Sequence, residues 1–171
     1  MSDLETAVAI AALLLRMTLG VTMLAHGWNH VWGGGKIAGT ARWFGSIGFR
    51  APKAQAWLAS ITELGAGVAL VVGLLTPLAA AAVAGTMTVA LVANHIRNGF
   101  FIFRPGEGYE YVAMILVASL ALAALGGGEW SLDELAGIGV DPVTGLGIGA
   151  GGVVLGLVVL AIFWRPKPRS S

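Results

Sequence analysis

The strongest constraint on this chain is a succession of apolar runs, each long enough to cross a bilayer. Residues 6–27, 54–75, 77–96 and 144–164 each reach or exceed the ~18 apolar residues that a spanning helix needs. A fifth run, residues 109–125, is shorter. A segment in hydrocarbon must satisfy its own backbone polar groups, so such runs fold as helices. Hydrophobic residues make up 57% of the chain and charged ones 11%, against about a quarter charged in soluble domains. The sequence therefore reads as an integral membrane protein, an all-α helical bundle of five spans. Only about one residue, Thr76, separates the second run from the third, which forces those two helices to be antiparallel neighbours.

The basic residues set an expected orientation. Lys36, Arg42, Arg50 and Lys53 follow the first run, Arg97 and Arg104 follow the third, and Arg165, Lys167 and Arg169 follow the last. With five spans these segments share one side, and the other side holds Asp3, Glu5, Glu129, Asp133, Glu134 and Asp141 with no Lys or Arg. The inside-positive bias makes the basic side cytoplasmic, with the N-terminus outside and the C-terminus inside. The residues before the first run are acidic and the run contains Arg16. Neither suits a cleaved signal sequence, so the first helix is expected to stay as a span. The chain has no cysteine, which excludes disulfide, thiolate and cysteine-ligated cluster chemistry within it.

Two opposite charges interrupt the apolar runs. Arg16 lies in the first and Glu63 in the second, and a lone charge at bilayer depth costs roughly 3 kcal/mol, so each wants an interior position and a partner. If the first helix ends near Gly27, Arg16 lies ~16 Å and Glu63 on the order of 13 Å from the cytoplasmic surface. The matched depths predict an Arg16–Glu63 pair. Such a pair either locks two helices together or lets Arg16 tune a Glu63 that carries a proton or holds a polar ligand.

The three histidines gather at the same cytoplasmic side. His26 and His30 stand four apart, a spacing that zinc or haem would accept. Trp28, Asn29 and Trp32 around them read instead as an interfacial belt, so no metal site is assigned. His26 and Trp28 remain ligand contacts. His95 and Glu110 bracket the hairpin between the third and fourth runs, and the carboxylate is expected to orient the imidazole or simply to close the hairpin. Trp43, Phe44, Ile47 and Phe49, interleaved with glycine and basic residues, suit a short amphipathic segment in the headgroup layer. Phe100, Phe101 and Phe103 beside Arg104 suit a similar seating. The succession His26 then Glu63, His95 then Glu110 resembles a weak parallel repeat.

The residues also carry a family likeness. Leu15-Arg16-Met17, Gly20, His26-Gly27-Trp28, Trp43-Phe44, Ile47-Gly48-Phe49, Glu63-Leu64-Gly65-Ala66-Gly67, Gly73-Leu74-Leu75-Thr76-Pro77, Asn98-Gly99-Phe100-Phe101, Glu110 and Gly126-Gly127-Gly128 before Ser131-Leu132-Asp133 resemble, in order and spacing, the DoxX family of membrane proteins. The likeness covers roughly residues 10–135. It implies a bacterial inner-membrane four-helix bundle, linked in some relatives to quinone oxidoreductases, and it carries polar family positions onto Arg16, His26, Glu63, His95 and Glu110. The expected organisation is a four-helix DoxX-like domain over residues 1–135. Residues 136–171 then form an outer loop, a fifth transmembrane helix that the usual member lacks, and a basic tail. Overlapping GxxxG spacings at Gly145, Gly147, Gly149, Gly151, Gly152 and Gly156 allow a close helix approach, either to a second copy or partner subunit or to the chain's own bundle.

The leading expectation is a small inner-membrane subunit of a redox or stress-related complex, with a cytoplasm-facing polar pocket for a quinone or similar molecule. Glu63, His95 and Glu110 are its candidate catalytic residues. Arg16, His26, Glu63, His95 and Trp28 are its candidate ligand contacts. The alternatives are a non-catalytic scaffold that recruits partners, a soluble redox enzyme among them, and a small proton-coupled transporter. No strand followed by GxGxxG occurs, so the chain is not expected to oxidise a nicotinamide by itself. The spans contain no internal proline of the kind that breaks carrier helices, which disfavours transport. Membrane lipid is the one expected partner that composition demands, and nothing points to nucleic acid.

Overall fold

The computed structural model describes residues 2–166, and the expectation of a basic tail falls mostly outside them. Seven α-helices are present among these residues: α1 (Asp3–Trp32), α2 (Lys36–Ser46), α3 (Pro52–Val72), α4 (Thr76–Ala90), α5 (Glu110–Leu125), α6 (Leu132–Ala136) and α7 (Pro142–Phe163). A π-helical turn (Leu91–His95) and a 3₁₀ turn (Ile96–Asn98) prolong α4. The long apolar helices α1, α3, prolonged α4 and α7 can each cross a membrane. The shorter α5 runs beside them from one end of the bundle to the other, with the Glu110 amide bonded to Phe100 and Gly128 packed on Ala9 and Ala12. The chain is an all-α, multi-pass membrane bundle.

Local sequence explains where the helices start and stop. Ser2 and Glu5 form a reciprocal capping box at the start of α1. Trp28 stacks on Trp32 with ring centroids 4.3 Å apart. This four-residue contact lies beyond Gly27, and α1 continues to Trp32 rather than ending where the sequence suggested. Gly73, at φ 70°, ends α3. Asp133, far along the chain, supplies the start of α4, its carboxylate accepting from the amides of Leu75 at 2.5 Å and Thr76 at 2.8 Å. The amphipathic segment expected after the first span is the helix α2, packed on α1 and α3.

Helices α1, α3, α4 and α5 surround a core that includes Leu19, Met23, Leu70, Val83, Val112 and Leu122. In lipid the apolar effect does little to hold helices together, and close contact through small residues takes its place. Gly20 and Gly67 face the backbone of the opposite helix across the α1–α3 seam, and Gly27 meets Leu64. Three buried hydroxyls bond back to their own helices, Ser60 to Ala56, Thr88 to Ala84 and Ser119 to Ile115, so these three spend no polar group on the hydrocarbon. Helix α7 docks on α4 and α5. Gly145, Gly149, Gly152 and Gly156 lie against Ala123, Ala81 and Gly85, so the GxxxG face is occupied within this chain.

Candidate functional site

The two membrane charges do not pair with each other, contrary to the depth argument. The α1–α3 register set by Gly27 on Leu64 and Gly20 on Gly67 brings Glu63 beside His30, with Nδ1 3.0 Å from Oε2. Arg16 sits fourteen residues earlier on α1, about 21 Å away along the helix. The extension of α1 past Gly27 is the reason the depths were misjudged.

Arg16 belongs to the acidic end of the bundle. Its guanidinium is 1% exposed, and Nη2 donates to the Trp130 carbonyl at 2.5 Å. The Asp133 carboxylate attracts it through space. Gly73 makes room for it, since a Cβ there would overlap Nη1. Together with the Asp133 bonds to the α3–α4 turn, Arg16 latches the α5–α6 segment across the mouth of the bundle.

At the opposite end a cavity of about 880 Å³ opens among α1, α2, α3, α4, α5 and α7. Its polar residues include His26, His30, Glu63, Asn94, His95 and Tyr111, while long stretches of wall are Ala, Gly, Leu and Val. Few polar groups on an apolar surface, in a volume of this order, is the usual make-up of a small-molecule site.

Two histidine-centred clusters define the polar part. In the first, His30 Nδ1 and Glu63 Oε2 lie 3.0 Å apart with side chains 16% and 6% exposed, an ion-pair contact when the imidazole is protonated. In the second, His95 Nδ1 lies 3.0 Å from the Glu107 carbonyl, and a carbonyl only accepts, so this nitrogen carries hydrogen. Nε2 is then free to accept from the Tyr111 hydroxyl at 3.1 Å and the Asn94 amide at 3.2 Å. The π turn places Asn94 and His95 here, and π turns in helices recur at functional positions. Glu107 is held at φ 60°, its carbonyl accepting from Asn98 as well.

The expected His95–Glu110 pair does not form. Glu110 instead accepts from the Ile102 amide at 3.1 Å and closes the loop ahead of α5, while Glu107 and Tyr111 take the place expected of it. Among the residues singled out in the sequence, Glu63, His95 and His26 line the cavity. Arg16 lies at the other end, and Trp28, 61% exposed, stacks on Trp32 outside the cavity. The described residues hold no cluster of three or more His, Cys, Asp or Glu suited to a metal ion. The sequence placed His30 and Tyr111 at the cytoplasmic end without singling either out as a site residue, and Asn94 was passed over; the spacing of His95 and Tyr111 across the loop with Pro105 and Gly106 was the signal available.

These features describe a polytopic helical membrane protein with a histidine-lined cavity at one end. A family model described as DoxX matches residues 11–96, half of the chain. The chain belongs to the DoxX family. No curated protein and no solved structure matches it.

Proposed function

We propose that the protein binds a small amphiphilic molecule, a quinone or a compound built like one, in the cavity of about 880 Å³. The observation that carries this reading is the meeting of two histidine-centred clusters, His30–Glu63 and His95–Tyr111, on one largely apolar cavity. A quinone ring presents two carbonyl oxygens and needs donors that can also give and take protons. The Tyr111 hydroxyl and the His30–Glu63 pair offer both. Burial strengthens such contacts because water competes for them less.

In this reading Glu63 and His95 keep the roles expected of them, His30 replaces Arg16 as the group that fixes the carboxylate, and Tyr111 replaces Glu110 beside His95. The basic loops at this end, with Arg42, Arg50, Lys53 and Arg97, favour a cytoplasm-facing site in a bacterial inner membrane. The test is equilibrium binding of a short-chain benzoquinone to the protein in lipid nanodiscs, with mass spectrometry of co-purified lipids alongside. Saturable binding to wild type that falls at least tenfold in Glu63→Gln is expected. Absence of saturable binding to wild type would overturn the proposal.

A further inference from the structure

The cavity does not stop at its polar end. Its lining continues along α4 from His95 to Leu78, seventeen residues and about 25 Å of helix. The floor of this stretch is made of small side chains, Ala81, Ala82, Gly85 and Ala93. α4 packs against α3 and against α7, and residues of both rise as walls, Leu58 and Ala59 on one, Gly151 and Leu155 on the other. Leu58, Leu78 and Leu155 line the cavity and are yet 50%, 54% and 63% exposed. The cavity is therefore open along its flank, within helices that cross the membrane, where what lies outside is lipid.

One end of this groove is closed by the chain itself. The Trp164 indole donates to the Ile47 carbonyl at 2.9 Å, and the amides of Arg50 and Arg165 bond to Phe163 and Gly48. These contacts pin the end of α7 to the α2–α3 connection. Phe44 and Phe49, whose rings lie 5.5 Å apart, cover the polar residues there. A buried polar head site, a long apolar floor and an open flank at bilayer depth are matched by one kind of ligand, an amphiphile with a single linear tail.

Resting on the quinone reading above, we infer that the ligand is a prenyl quinone drawn sideways from the bilayer. Its ring sits at Glu63 and His95, its tail lies in the groove floored by α4, and α7 is a wall of the binding site. Tail length then sets affinity, because each added tail segment exchanges lipid contacts for packing in a fixed groove until the groove ends near Leu78.

Gly151 and Gly147 provide a matched pair of probes. A Cβ at either meets nothing within 4 Å, so a substituted side chain starts into open space at both positions. Gly151 lines the cavity and Gly147 does not. Binding to nanodisc-embedded protein is measured for one benzoquinone ring carrying no tail, a short prenyl tail or a tail long enough to reach Leu78. Wild type and Gly147→Phe should bind the long-tailed quinone at least tenfold more tightly than the tailless ring, measured against free ligand in the lipid phase. Gly151→Phe should lose that gain and keep the affinity for the ring. If the tailless ring binds but the long tail adds nothing, or Gly151→Phe behaves as Gly147→Phe, the groove proposal is wrong while the head site stands. If wild type binds none of the three, both readings fall together.

Discussion

Arg16 and Glu63 show how a single helix end can decide which residues meet. Both are buried, as a charge in a membrane helix must be, and that much follows from composition alone. Their partners do not, because five further residues of helix beyond Gly27 shift the register by roughly 8 Å and hand Glu63 to His30. Trp28 and Trp32 were readable as an interfacial belt, yet their mutual stacking, which accompanies the continued helix, depends on side-chain packing that spacing does not reveal. The two charges now predict opposite phenotypes. Glu63→Gln should leave the melting temperature in detergent nearly unchanged while quinone binding falls; Arg16→Met should lower the melting temperature and leave quinone affinity of the folded fraction intact. Equal loss of binding in both variants would contradict their assignment to separate ends. Gly73→Ala tests the latch from the other side. Its φ of 70° and the Arg16 guanidinium against it leave no place for a methyl group, and a loss of more than about 1 kcal/mol is expected, measured by denaturant titration.

Among the elements, α7 was legible as a span and as a helix built for close approach. Glycine spacing tells that a backbone comes near without telling whose, and the structure answers with α4 and α5. Gly156→Leu should therefore lower the thermal stability of the isolated protein, since a Cβ there would lie 2.6 Å from the Gly85 carbonyl oxygen; Gly147→Leu should not. The start of α7 carries a pH-dependent contribution. The Thr144 side chain and amide hold the exposed Asp141 carboxyl below the usual aspartate value of 3.8. A carboxyl whose value is lowered on folding adds stability above its ordinary value, and that addition disappears as pH falls through the lowered one. The melting temperature of wild type should thus exceed that of Asp141→Ala at neutral pH, with the gap narrowing in acid. The π turn at residues 91–95 had no sequence signature of its own, whereas the short helix α6 starts at a local cap, Ser131 accepting from the Glu134 amide; both are tied to residues distant in the chain, Glu107 and Gly73 accepting bonds from His95 and Asp133.

At the scale of the whole molecule, the two ends differ in charge and in task. Lys36, Arg42, Arg50, Lys53, Arg97, Arg104 and Arg165 gather with the cavity, and Asp3, Glu5, Glu129, Asp133, Glu134 and Asp141 with the Arg16 latch. The all-α membrane bundle and this asymmetry were both visible in the order of apolar runs and basic residues, because they depend on counts and periodicity rather than on contacts. With no native cysteine, single cysteines report sidedness directly. Ser46→Cys in intact cells should resist a membrane-impermeant thiol reagent and Glu129→Cys should react; the reverse pattern would place the cavity on the outer side. The tie between residues 47–50 and residues 163–165 has a consequence in time as well as in space. Synthesis delivers the head-group residues early and the wall made by α7 later, so a complete cavity cannot exist until α7 has been made. A nascent chain halted in the connection before α7 would carry Glu63 and His95 in place and still lack a closed site, which makes the binding activity a report on the insertion of α7.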